Sequence, residues 1–129
     1  MVVTEPFANS VIGEMSSWRE VDGLIDDKIN PWDKKDFGEE SIRSQVDTIL
    51  KNLATPCVNI LYLHAPDHNT PLETTLRTMN TLHQEGKFKK LGLSNYSSWL
   101  VSEVVSVCKV NIQELESLGN VLVYKRNEI

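Results

Sequence analysis

A parallel α/β fold is what this sequence predicts, on three observations. Short apolar runs alternate with longer stretches whose apolar residues recur at helical spacing. The strand-like runs end near Lys28, Leu63 and Leu93, roughly one βα unit of ~30 residues apart. The polar residues His64, Ser94 and Asn95 fall where two of those runs stop. In a parallel sheet that edge carries the site.

The clearest unit is Val58 to Asn95. Val58-Asn59-Ile60-Leu61-Tyr62-Leu63 is an apolar strand, followed by the turn-rich His64 to Asn69. Thr70 as N-cap, Pro71 at the first helical position and Glu73 at the third predict a helix over 71–85. Leu72, Leu76, Met79 and Leu82 form its apolar stripe, and Gly86 stops it. Lys90-Leu91-Gly92-Leu93 is the next strand. Strand, helix and strand in this order form a βαβ unit with a right-handed crossover.

Upstream, Ser10 to Met15 reads as the end of a helix and Ser16 to Asp22 as a connecting loop. Gly23-Leu24-Ile25 is a short strand leading to Lys28. Asp26 and Asp27 put two carboxylates where a buried parallel strand holds few. Ile29-Asn30-Pro31-Trp32 is a loop, because Pro31 turns Asn30 away from helical geometry. A helix over 39–53 follows, with Ile42, Val46, Ile49, Leu50 and Leu53 on one face and Asp36 with Glu39 as a capping box. Downstream, Ser97 or Ser98 caps a helix over 98–109 whose face is Val101, Val104, Val105 and Cys108. Ile112 to Leu118 adds a helical turn or two, and Asn120 to Tyr124 reads as a further strand. Trp99 is expected to pack its helix against a neighbour.

Composition narrows the function classes. The 129 residues suffice for one domain with a core, at 40% hydrophobic and 24% charged residues. A net charge of −5 speaks against a nucleic-acid partner. No apolar run approaches the ~20 residues that span a bilayer, and the N-terminus lacks a signal-peptide pattern, so the expectation is a cytoplasmic protein that contacts no membrane. Cys57 and Cys108 read as reduced thiols without metal-ligand spacing, so no metal is expected.

The stretches KINPW, YLHAPDHNTPLE and LHQEGKFKKLGLSNY closely resemble the aldo-keto reductases, nearest to the aflatoxin-aldehyde reductase branch. The resemblance is dense from Lys28 to Lys109 and absent after Asn111. It implies a (β/α)8 TIM barrel, the cofactor NADPH and hydride transfer to a small-molecule carbonyl of the aflatoxin dialdehyde or succinic semialdehyde type. A full barrel needs about 250 residues, so about three to four parallel β/α units of an unclosed barrel are expected. That divides the chain into a partial reductase domain, 1–111, and a divergent C-terminal tail, 112–129, as in a truncated product.

By the same resemblance Lys28 and His64 match catalytic positions, and Ser94 and Asn95 match the pair that holds the nicotinamide carboxamide. Trp32, whose motif sits at a strand's carboxyl end, is expected either to line the substrate pocket or to pack as a core residue. The family's acid tyrosine and its aspartate are not matched; Tyr62, Tyr96 and Tyr124 stand elsewhere. No Gly-rich phosphate loop is present among the six glycines. The expectation is therefore a reductase relative with little or no activity alone. The alternative is a non-catalytic half-barrel that self-associates as a homo-oligomer or binds a full-length reductase through its open edges.

Overall fold

A computed structural model of the chain describes residues 19–21, 24–33 and 35–125. The helix end expected at Ser10 to Met15 lies outside the described residues. The sheet has five strands in the order β1 to β5: Arg19–Val21, Leu24–Ile29, Val58–Leu63, Phe88–Ser94 and Leu122–Lys125. β2, β3, β4 and β5 run parallel, and β1 pairs antiparallel to β2. The parallel α/β expectation holds, and the run before Lys125 supplies a fourth parallel strand. The expected loop over Ser16 to Asp22 is corrected in part. Arg19, Glu20 and Val21 pair with Asp26, Ile25 and Leu24 as a hairpin arm. Among the described residues the sheet is open, with β1 and β5 as its edges.

Three helices cover one face: α1 Glu39–Leu53, α2 Leu72–Gln84 and α3 Ser98–Ser106. Ile42, Val46, Leu76, Met79, Leu82 and Val104 turn inward against Ile29, Leu61, Leu63, Leu91 and Leu93 of the strands. Burying each such side chain contributes roughly 1.5–3 kcal/mol, which makes this layer the main source of stability. A π-helical turn, Val107–Asn111, extends α3. A 3₁₀ turn, Gln113–Leu115, and the short helix α4, Glu116–Gly119, then lead into β5.

The helix ends differ from expectation at particular atoms. Thr70 does not cap α2. Its hydroxyl donates to Asp67 Oδ2 at 2.6 Å, and Pro71 occupies the N-cap position. The Asp67 carboxylate wins that hydroxyl because it also gathers the backbone N–H groups of Phe37 and Asn69. Asp36 does not cap α1 either; it accepts from Gly38 N in a local turn, and Gly38 is the N-cap. Ser97 caps α3, accepting from Leu100 N. Gly86 closes α2 as expected, with φ of 81° and paired bonds from Gly86 N to His83 O and Lys87 N to Leu82 O. Val105 clears the core at 37% exposure, because Val104 and Cys108, four apart, already face it. Trp99 is 74% exposed and packs nothing inward, contrary to its expected role.

Candidate active site

Successive residues of a strand point to opposite faces. Leu61, Leu63, Leu91 and Leu93 lie on the helix side, whereas Ile60, Tyr62 and Val123 pack together on the other face. Strand register sets Lys28, Tyr62, Gly92 and Val123 side by side in one row of that second face. One step toward the carboxyl edge, Ser94 pairs with Lys125, and His64 follows Leu63, the partner of Leu93. His64, Ser94 and Lys125 therefore form the row above. Gly92 is required in the lower row: a Cβ there would come within 2.3 Å of Tyr62 Cδ1, so the Tyr62 ring lies directly over it.

Each residue has a local anchor. His64 N donates to Ile29 O at 2.8 Å, tying the end of β3 to the end of β2. Asn95 Nδ2 donates to His64 O at 2.7 Å and reaches Ser94 Oγ at 3.5 Å, tying β4 to β3. Asn95 holds a left-handed backbone, φ 61°, which Asn tolerates better than most residues. The Trp32 ring centroid lies 4.7 Å from that of His64, with the planes tilted by 59°. Trp32 is 44% exposed, so it walls the imidazole rather than filling the core.

The strand before Lys28 accommodates both carboxylates. Asp26 Oδ1 accepts from Ile60 N and Asn59 Nδ2, which ties β2 to β3. Asp27 Oδ1 accepts from Lys28 N at 2.7 Å. Burial nonetheless pushes the Asp27 carboxyl up to about 7. Burial lowers the Lys28 ammonium, with the Lys125 cation adding to the shift and Asp27 opposing it. Burial, then Lys28, then Lys125 bring His64 down to about 4, so its imidazole is neutral at physiological pH. His64 Nδ1 is buried and makes no hydrogen bond within the described structure.

Sequence reasoning missed Lys125. Its signal was available: Val121-Leu122-Val123-Tyr124 is an apolar run ending in a polar residue, as Leu63-His64 and Leu93-Ser94 are. The three tyrosines offer no accessible phenol at the edge. Tyr62 is 1% exposed and Tyr96 3%, and burial raises the Tyr96 phenol further from acidity. Tyr124 Oη donates to Tyr96 O. A hollow of about 270 Å³ lies beside the same sheet edge, lined by Phe37, Asp67, Tyr96 and Leu100 among others, and it includes none of Lys28, His64, Ser94 or Asn95. Among the described residues no group of His, Cys, Asp and Glu is arranged to hold a metal. No helix among them is long and apolar enough to cross a membrane.

The sequence pattern of the aldo/keto reductase family matches residues 7–124. Aflatoxin B1 aldehyde reductase member 2 of Mus musculus is 58% identical over 84 residues, 65% of this chain and 23% of that protein. Aflatoxin B1 aldehyde reductase member 4 of Homo sapiens is 54% identical over 84 residues, covering 65% of this chain and 25% of that protein. This chain thus spans about a quarter of the length of these relatives. A crystal structure of a thermostable aldo-keto reductase in complex with the inhibitor epalrestat superposes with a TM-score of 0.58 at 27% identity, over 63% of this chain and 28% of that one. The match runs into β5 as far as residue 124, and with these relatives it shows that the chain belongs to the aldo/keto reductase family.

Proposed function

We propose that the carboxyl edge of this sheet is the carbonyl-polarising and nicotinamide-holding part of an NADPH-dependent aldehyde reductase site. The observation that carries this reading is the row of His64, Ser94 and Lys125 beside Lys28. It sets a neutral imidazole beside two lysines. A neutral imidazole donates a hydrogen bond to a carbonyl oxygen through its one N–H, and the ammonium groups stabilise charge that develops there.

NADPH, when bound, supplies the hydride. The chain fits its nicotinamide end: Ser94 Oγ is donor and acceptor, and Asn95 is held beside it by the bond to His64 O. Small aldehydes, including aflatoxin dialdehyde or succinic semialdehyde, are the substrate class that the relatives suggest. The accessible groups at this edge include no phenol, so no tyrosine is placed to deliver the proton. A general acid is typically worth about 10²–10⁴-fold, and turnover by this chain is expected to be low by that factor.

Saturation-transfer NMR with NADPH and purified protein tests the reading. Saturation should reach the nicotinamide protons and fall when Ser94 or Asn95 is replaced by Ala. Transfer to the adenine protons alone, or none, would sink it. Oxidation of NADPH by an aromatic aldehyde should be slow and lost in His64→Ala.

The open edges favour a second reading, association through strand addition at β5. Solution mass decides it: a monomer at micromolar concentration excludes self-association of that kind.

A further inference from the structure

We propose that the hollow of about 270 Å³ on the helix side of the sheet is a second ligand site, which takes a small aromatic amine by its ring and its ammonium group. The amino ends of the three helices frame it. Phe37 leads into α1, Thr70 leads into α2, and Tyr96 lies just before α3. Phe37, Tyr96, Leu100 and Val104 give the hollow apolar walls. Phe37 and Val104 are 1% exposed and Tyr96 3%, and all three belong to the helix-side core. The hollow therefore lies apart from the row of His64, Ser94 and Lys125, which is on the other face.

Its walls are tied from two sides. Phe37 N donates to Asp67 Oδ2 at 2.9 Å, and Thr75 Oγ1 donates to Phe37 O at 3.0 Å. A site held in this way is formed before a ligand arrives. An apolar cavity of about 150 Å³ takes benzene, so this larger one has room for two fused rings with a short arm.

Charge selects the amine. Asp67 and Glu103 both line the hollow, and among the described residues its lining holds no lysine or arginine. The three donors to the Asp67 carboxylate are neutral: Thr70 Oγ1 at 2.6 Å, and the backbone N–H groups of Phe37 and Asn69 at 2.9 Å. Burial works against the anion, but these bonds, with His68 at the exposed rim, outweigh it and hold the carboxyl below its usual range. A carboxylate accepts about four hydrogen bonds, so Asp67 has a place left for an N–H donor. The Tyr96 hydroxyl has no hydrogen-bond partner among the described residues, and its ring offers a face to a cation. An anionic ligand would meet two like charges here.

The test is titration of the isotopically labelled full chain with tryptamine near neutral pH, followed by amide chemical shifts. Tryptophol, its neutral hydroxyl counterpart, and the anion indole-3-propionate are titrated alongside. Tryptamine should saturate one set of shifts at Thr70, Thr75 and Leu100. It should bind about tenfold more tightly than tryptophol, because charge-assisted hydrogen bonds are the stronger ones. Glu103→Gln, at an exposed position, should weaken tryptamine about threefold and leave tryptophol unchanged. Leu100→Trp, which fills the hollow, should abolish both, with circular dichroism checking that each variant stays folded. Tryptophol binding as tightly as tryptamine, indole-3-propionate binding more tightly, shifts confined to Gly92 and Ser94, or no saturable shift at all overturns the proposal. NADPH is absent throughout, so the result is independent of whether nicotinamide binds.

Discussion

The amide of Asn95 donates to the carbonyl oxygen of His64 at 2.7 Å, joining the carboxyl ends of β4 and β3. Asn95 holds that bond from a left-handed backbone, φ 61°. Two terms therefore separate by substitution. Asn95→Gly loses the bond and should cost about 1 kcal/mol. Asn95→Ala loses the bond and adds backbone strain, for a total of about 2–3 kcal/mol. Urea unfolding of both variants checks the order; equal losses would remove the strain from the account.

Gly92 and Tyr62 make a second pair whose cost is steric. The ring atoms Cδ1 and Cε1 lie 2.3 and 2.6 Å from where a Gly92 Cβ would be. Gly92→Ala forces the ring off a surface where Tyr62 is 1% exposed, at about 1–3 kcal/mol. In a Tyr62→Ala background the same change should cost much less. A double-mutant cycle with no coupling would mean that the strand, not the ring, resists the methyl group.

Ala54 closes α1 in the left-handed region at φ 54°, with Thr55 N bonded to Leu50 O and Ala54 N to Lys51 O. A residue with a Cβ is strained there. Ala54→Gly should raise stability by about 1 kcal/mol, since Ala54 is exposed and gives up no packing. A lower urea midpoint in Ala54→Gly would contradict this.

Helix periodicity and strand spacing were legible because the helix-side core is continuous. Ile42, Val46, Leu76, Met79 and Leu82 recur at fixed intervals and meet Leu61, Leu63, Leu91 and Leu93. What stayed hidden depended on three-dimensional competition. Thr70 and Asp36 carry capping chemistry, yet nearby groups claim their side chains first. Trp99 is apolar but lies on the outer side of α3. Lys125 belongs to the edge because β5 pairs with β4 at Ser94, and only register reveals that. His64 and Ser94 could be placed from the sequence because each follows directly on an apolar run, and Asn95 comes next after Ser94.

The pH dependence of stability should reveal two opposing groups. His64 falls from 6.5 to about 4 on folding, so between those values the unfolded chain binds more protons. Stability from this source rises with pH and is lost as pH drops through that window. Asp27 moves the other way, from 3.8 to about 7, so there the folded chain binds more protons. Its contribution is present at low pH and is lost as pH rises toward 7. Each term is worth about 1–3 kcal/mol once solvent screening is allowed for, and between pH 4 and 6.5 they largely cancel. Asp27→Asn keeps an acceptor for Lys28 N and removes one slope, so relative to the parent its stability should climb from pH 4 to 6.5. His64→Gln removes the other, so relative to the parent it should decline over that range. Urea unfolding at intervals from pH 4 to 8 measures both differences. If the two variants shift the profile in the same direction, the assignment of a buried neutral His64 and a buried protonated Asp27 fails.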